Sequence, residues 1–524
     1  MKKTIFSAVF TLSIFTITDR ALGFIFKIFL SREIGAAAMG VYQVALSFFF
    51  VLLTATTSGI PLIVSKLTAK YRISGEIKKE RSLTAAALIV GLVISVVITG
   101  AVILLYKPIG NLFADKESAI VLLFLLPALV FSSVYSAFRG NLWGRQRYFA
   151  VSLVEILEQI ARIIVCIILF ALGFNKLYMT ALSLSLGCFV SMVSVILCFF
   201  AMKGRLNNPK GQIIPLLKSS TPITVSRAAS SVINSLVAIA VPFLLISSGF
   251  TREESMSLFG SGVGMAMPLL YLPITVVGSL AFVMIPTVST GMGKGNLKHV
   301  NSQIESATGF AIIIASLFVP MFFALGEPIG KFVYDNADAG KFLAASAWLL
   351  IPLSVENITS SVMNSLDLEI KSFINYMLGS LVMFAILFAF YGNFNIVLLS
   401  VGMGTGWCVT CVLHIICIRK KTGLGFSYLK KLLKSVLLIV PACFVTKCVF
   451  SLLSSLTLFW SISISSSVSL LFYAAAGYVF GLVDVDFFKT KVKTNAQTKR
   501  RTDKTANKTA KNDSIACKKS LKDV

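Results

Sequence analysis

A chain of 524 residues that is 56% hydrophobic and only 13% charged, with a mean hydropathy of +0.87, is too apolar for a soluble domain. Its net charge of +26 would suggest nucleic acid in a soluble protein, but the basic residues gather between apolar runs, so we expect a polytopic membrane protein with no nucleic-acid partner. The two histidines, His299 and His414, belong to no nucleophile or metal constellation, and no phosphate-cradling Gly-Lys-Ser/Thr motif is present; we expect no enzyme, no metal and no cofactor.

Runs long enough to cross a bilayer as helices, roughly 20 apolar residues each, fall near 4–30, 38–65, 84–106, 118–138, 150–172, 178–202, 219–248, 257–288, 307–326, 343–366, 372–391, 396–418, 435–453 and 458–482. Lipid offers backbone groups no partners, and these runs are too long and too evenly apolar for the alternating strands of a barrel. Fourteen helical spans are therefore expected.

The first run follows Lys2 and Lys3 and contains Ala21-Leu22-Gly23, which imitates a signal-peptide cleavage site. Asp19 and Arg20 stand directly before it and apolar sequence resumes through Leu30, so we read a retained span. Arg20 and Lys27 are seven residues apart and share a helix face at about 10.5 Å, although Lys27 also lies within snorkelling reach of the outer interface. In the fifth run Glu155, Glu158 and Arg162 are spaced three and four apart; Glu158 before Arg162 is the favourable order for an intrahelical pair, and we expect structural pairing over proton or sodium coupling.

Arg227, in the seventh run, is either a second phosphate grip or the partner of an acid on a neighbouring span. The eighth run, with Gly260, Gly262, Gly264, Pro268 and Pro273, is built to bend, and Pro61, Pro222 and Pro286 also remove backbone donors and permit hinges. Glu356, in the tenth run, has no partner on its own helix; pairing with Lys447 of the thirteenth run and titration during transport both stay open. Cys408 and Cys411 form a CxxC with no second CxxC in the chain, so the nine cysteines are read as packing residues.

With Lys2 and Lys3 inside, the loops assigned to the cytoplasm hold 24 Lys and Arg against seven outside, the last forty residues aside. That asymmetry places both termini in the cytoplasm of a cell-membrane protein. After Asp486 the chain becomes a Lys-, Thr- and Asn-rich tail with twelve basic residues and three acids. It is expected to be disordered, as a solvated anchor or a contact for anionic membrane lipids.

Asp19-Arg20-Ala21 in span one is echoed by Ser226-Arg227-Ala228 in span seven, and Ile60-Pro61 with Ser65 by Ile285-Pro286 with Ser289. We therefore expect two six-helix lobes related as a parallel repeat around a central cavity. The divisions are 1–203 for the N-terminal lobe, 204–421 for the C-terminal lobe, 422–486 for two further helices and 487–524 for the basic tail.

Charged residues within a bilayer face a protein interior or a wet cavity, and three cations at depth mark the path of an anion. Arg grips phosphate with a planar fork of donors and stays charged. Arg20, Lys27 and Arg227 are accordingly the expected substrate-binding residues, with Asp19, Glu155, Glu158, Arg162, Glu356 and Lys447 structural or ion-coupling and Pro61, Gly264, Pro268, Pro273 and Pro286 as hinges.

Arg32-Glu33-Ile34-Gly35 with Met39-Gly40-Val41-Tyr42-Gln43, Ser58-Gly59-Ile60-Pro61 with Ser65-Lys66, Phe138-Arg139-Gly140 with Gly144-Arg145-Gln146, and Gly264-Met265-Ala266-Met267-Pro268 with Pro273 resemble the stage V sporulation protein B group of polysaccharide exporters. The resemblance covers about residues 1–485 and implies the multidrug/oligosaccharidyl-lipid/polysaccharide (MOP) exporter superfamily, related to lipid II flippases. It implies alternating access that moves a polyprenyl-pyrophosphate-linked sugar to the outer leaflet in cell-wall or spore-cortex synthesis, with cell-wall synthesis proteins as partners. Arg20 matches a cavity cation of those flippases; six positions on, where they carry a second Arg, this chain has Phe26 with Lys27 beside it. Asn364-Ser365 stand where relatives carry Gln-Gly. The competing readings are a multidrug cation antiporter, which needs an acidic cavity, and a non-transporting scaffold of envelope assembly, which needs no cations at depth.

Overall fold

The computed structural model describes the backbone of residues 2–482 except 294, 424 and 426, and the side chains of that range except 2–14, 16, 282, 283, 286, 287 and 427. The expected basic tail of 487–524 lies outside the described residues. Those residues form α1 (Lys2–Thr57), α2 (Ile60–Ile73), α3 (Ile77–Leu104), α4 (Tyr106–Gly110), α5 (Glu117–Gly144), α6 (Tyr148–Ala171), α7 (Lys176–Ala201), α8 (Ile213–Ser247) and α9 (Arg252–Phe259). A π-helical turn (Gly260–Ala266) leads into α10 (Met267–Gly293), followed by α11 (Leu297–Tyr334), α12 (Ala337–Ser346), a single 3₁₀ turn (Ala347–Leu349) and α13 (Leu350–Ser365). Then come α14 (Glu369–Ala389), α15 (Ile396–Thr422), α16 (Ser427–Leu452) and α17 (Leu458–Val479).

Among the described residues twelve helical segments are long and apolar enough to cross a membrane, so the chain is a helical multi-pass membrane protein. The fourteen expected runs differ from this count at two places. The first two runs are joined in α1, whose interruption is Gly35 at φ 77 and ψ 176, backbone that glycine alone adopts without strain. The fifth run, α6, has the length of a span but carries Glu155, Glu158 and Arg162 within 24 residues, too many charges for composition alone to mark it.

The connections alternate between two ends. Those after α2, α5, α7, α13 and α15 share one end, which carries most of the loop Lys and Arg and is called the basic end here. In the N-terminal half α5 packs on α7, α2 and α3, and α6 on α7; in the C-terminal half α14 packs on α15, and α11 and α10 on α13. Helix α1 reaches across to α8, α9 and the π turn, while α16 and α17 lie on α11.

Between helices in lipid there is little hydrophobic drive, so close approach depends on small residues. Away from the basic end, a Cβ on Gly40 would collide with the Met256 carbonyl and one on Gly260 with that of Ala36. Helix α1 therefore meets α9 and the π turn backbone to backbone. Arg32 fastens the same end, donating through Nε to the Val333 carbonyl at 2.8 Å and through Nη2 to that of Phe332. At the basic end Glu80 is only 1% exposed and accepts from Arg145 Nε at 2.7 Å and Asn141 Nδ2 at 3.2 Å, tying α3 to α5.

Candidate functional site

Helix periodicity turns one stripe of α1 toward the interior: Arg20, Gly23, Phe24 and Lys27 recur at steps of three and four, as residues on a single helix face do. Beyond Gly35 the same helix adds Gln43 and Ser47. Together with Asn234 and Val237 of α8, Met267, Tyr271 and Thr275 of α10, Tyr376 and Ser380 of α14, and Trp407 and Thr410 of α15, they enclose a cavity of about 520 Å³ between the two halves. The crossing at Gly40 and Gly260 lies between its α1 residues and the end away from the basic loops.

Arg20 is exposed to this space and Lys27 half-buried. Among the described residues neither forms an ion pair, and no carboxylate lines the cavity. An arrangement of two unpaired cations on one helix face, in a polar and aromatic chamber, can receive an anion.

Arg227 is placed elsewhere. It lines a second cavity of about 690 Å³ toward the basic end, with Glu356, Asn364 and Glu369, and donates to the Ser58 carbonyl at 3.5 Å. Tyr376 lines both cavities, so the two adjoin there. Arg20 and Arg227 thus line two adjoining cavities rather than two sides of one. Lys447 is exposed on α16, and no ion pair joins it to Glu356 among the described residues.

The charges of α6 turn into the N-terminal half. Glu155 pairs with Arg139 of α5 at 2.7 Å and accepts from the Tyr135 hydroxyl at 3.3 Å, while the Arg139 guanidinium lies 4.2 Å from the Trp143 ring centroid. The expected intrahelical pair of Glu158 and Arg162 does not form. Arg162 instead donates to the Tyr42 hydroxyl at 3.0 Å and sits 4.9 Å over the Phe26 ring, and Glu158 accepts from the Cys188 thiol at 3.6 Å. Tertiary partners on α1 and α7 outcompete the weak pairing along one helix. Asp19, one residue off the cavity stripe, is half-buried within the field of Glu155, Glu158, Arg20 and Arg162.

Of the expected hinges, Pro61 opens α2 just after the break at Ser58-Gly59, and Gly140 is packed so closely that an added Cβ would lie 2.8 Å from the Pro61 carbonyl oxygen. Gly264 lies in the π turn, where a Cβ would come within 2.6 Å of Met39 Cγ. Pro268, directly after that turn, lines the central cavity, and Pro273 and Pro286 follow in α10. Proline without an N–H breaks the regular ladder, and π turns mark the same kind of irregularity. Cys408 and Cys411 are free, and no group of three metal-ligating side chains occurs among the described residues.

Asn234, Tyr271, Tyr376 and Trp407 were not singled out by the sequence, and Gln43 only as the last residue of the Met39–Gln43 motif. Polar amides and aromatics at three- and four-residue steps are common on buried helix faces, and only the packing of five helices around one space brings these together.

Residues 5–292 match the family described as polysaccharide biosynthesis protein. The chain is 26% identical over 427 residues to stage V sporulation protein B of Bacillus subtilis (strain 168), covering 76% of this chain and 81% of that protein. It is 20% identical over 485 residues to lipid II flippase MurJ of the same organism, covering 84% and 87%. Among solved structures, lipid II flippase MurJ in an inward closed conformation superposes with a TM-score of 0.70 at 16% identity, covering 90% of this chain and 99% of that one.

Proposed function

The chain belongs to the polysaccharide biosynthesis protein family and is a membrane transporter of the MOP superfamily, and from that premise we propose that it flips a polyprenyl-pyrophosphate-linked sugar from the inner to the outer leaflet. The single observation that carries this is the central cavity, which presents Arg20 and Lys27 and no carboxylate among the described residues. A cation antiporter needs the opposite polarity.

An uncompensated anion in hydrocarbon costs tens of kcal/mol by Born estimates. Arg20 with its planar fork and Lys27 as a point charge offset most of that cost for a pyrophosphate. The polyprenyl tail stays in lipid while the head group occupies the chamber. The basic end faces the cytoplasm by the positive-inside rule, which puts the Arg227 cavity on the loading side and both termini inside. Closure at Gly40, Gly260 and Arg32 then corresponds to an inward-facing state. Opening that contact while the basic end closes releases the head group outward, with Pro61, Gly264, Pro268, Pro273 and Pro286 as the flexing points. Asp19, Glu356 and their neighbours are the places where proton or sodium coupling would act.

The test is transbilayer movement of a labelled polyprenyl-pyrophosphate sugar in vesicles holding the purified chain. Native protein is expected to move it, and Arg20→Ala and Lys27→Ala to lose about tenfold or more, the loss of one charge-assisted contact. Full movement by Arg20→Ala would sink the assignment.

A further inference from the structure

The two walls of the central cavity differ in chemistry. The α1 wall carries both cations, whereas the wall from α10, α14 and α15 carries the rings of Tyr271, Tyr376 and Trp407 and no charged group. We propose that this second wall is a sugar-reading surface, on which Tyr271 and Trp407 take the apolar face of a pyranose ring while Gln43 of α1 and Asn234 of α8, from the facing sides of the cavity, bind its hydroxyl or acetamido groups.

The inference deepens the flippase reading and rests on it. A wall meant for the polyprenyl chain would be uniformly apolar, and this one is not: Thr275, Ser380 and Thr410 are interleaved with the rings. Ser380 and Thr410 donate to the carbonyls of Tyr376 and Gly406 on their own helices, at 2.8 and 3.0 Å, which leaves their lone pairs free to accept. Aromatic faces carry negative π density and suit the C–H-bearing face of a saturated ring whose rim is polar.

Gln43 supplies the independent observation. Its Oε1 is buried and has no hydrogen-bond partner among the described residues, a condition that is costly unless a ligand completes it. Ionised phosphate oxygens have no hydrogen to offer that atom. A sugar O–H or an acetamido N–H does, so a ligand carrying both a pyrophosphate and such donors satisfies the α1 cations and Gln43 together. Tyr376, lining both cavities, meets the sugar as it passes from one to the other.

The experiment compares two probes in vesicles holding the full chain: a labelled polyprenyl pyrophosphate bearing an N-acetylated amino sugar, and the same lipid without sugar. Native protein is expected to move the sugar-bearing lipid faster. In Trp407→Ala, Tyr271→Ala and Gln43→Ala the ratio of the two rates is expected to fall about tenfold, with Trp407→Phe and Tyr271→Phe, which keep the ring, retaining most of it. The Phe variants and a thermal midpoint for each protein separate lost recognition from lost folding. An unchanged ratio in the folded Ala variants would overturn the sugar-reading surface and leave the flippase reading standing. If the native chain moves neither lipid, the flippase reading fails and the inference with it.

Discussion

Glu80 and the Arg20–Lys27 stripe both put charge inside the N-terminal half, but the surroundings differ. Glu80 is held between Arg145 Nε at 2.7 Å and Arg72 Nε at 3.8 Å, with Asn141 completing its shell. Arg20 and Lys27 face a chamber that, among the described residues, no carboxylate lines, Asp19 acting on Arg20 from beside the stripe. A charge whose partners come from neighbouring helices holds those helices together; a charge facing a chamber that no carboxylate lines is open to an anion that enters. Position in the membrane alone does not separate the two roles, and partnership does.

The largest effect is expected where a pair is broken from one side. Arg145→Ala leaves the Glu80 carboxylate buried with only Arg72 and Asn141 against it, and should cost about 3–5 kcal/mol, seen as a lower unfolding midpoint in detergent. Glu80→Gln combined with Arg145→Ala should recover much of it, and failure to recover would place the loss in packing instead.

Next comes the closed end. Gly260→Val forces side-chain atoms into the Ala36 carbonyl and should separate α1 from the π turn at a cost of about 1–3 kcal/mol. Cysteines placed at Met39 and Gly264, whose Cβ atoms would lie 3.7 Å apart, would report the gap by slower crosslinking than in the same cysteine pair without Gly260→Val, whereas unchanged crosslinking would show that the added side chain does not part the helices.

A smaller effect is expected at Arg139, whose pair with Glu155 is about one-third exposed on both sides. Arg139→Ala should cost about 1 kcal/mol, part of it from the lost contact with Trp143. A loss as large as that of Arg145→Ala would mean that partial exposure does not soften such a pair.

The sequence pattern made the spans and the Arg20–Lys27 stripe legible because helix periodicity fixes which residues share a face. It does not fix which helix that face meets. For that reason Glu155 was legible as a paired acid while Arg139, on another helix, was not legible as its partner. Likewise Arg227 echoes Arg20 in its sequence setting, yet it lines the cavity nearer the basic end with Glu356. The joining of the first two runs at Gly35 was hidden for a related reason: Gly35 looks like an ordinary turn residue until its backbone angles are known.

The central claim is that Arg20 is kept for a ligand rather than for the fold. It is tested most directly by the unfolding midpoint of native chain and Arg20→Ala, each with and without a saturating polyprenyl-pyrophosphate sugar. A ligand that binds only folded protein raises the midpoint, by about 2.7 kcal/mol of stability at a hundredfold excess over its Kd. The account predicts that Arg20→Ala alone unfolds within about 0.5 kcal/mol of native and gains little from the ligand. A midpoint lowered as far as that of Arg145→Ala, or a ligand shift equal to that of the native chain, would contradict it.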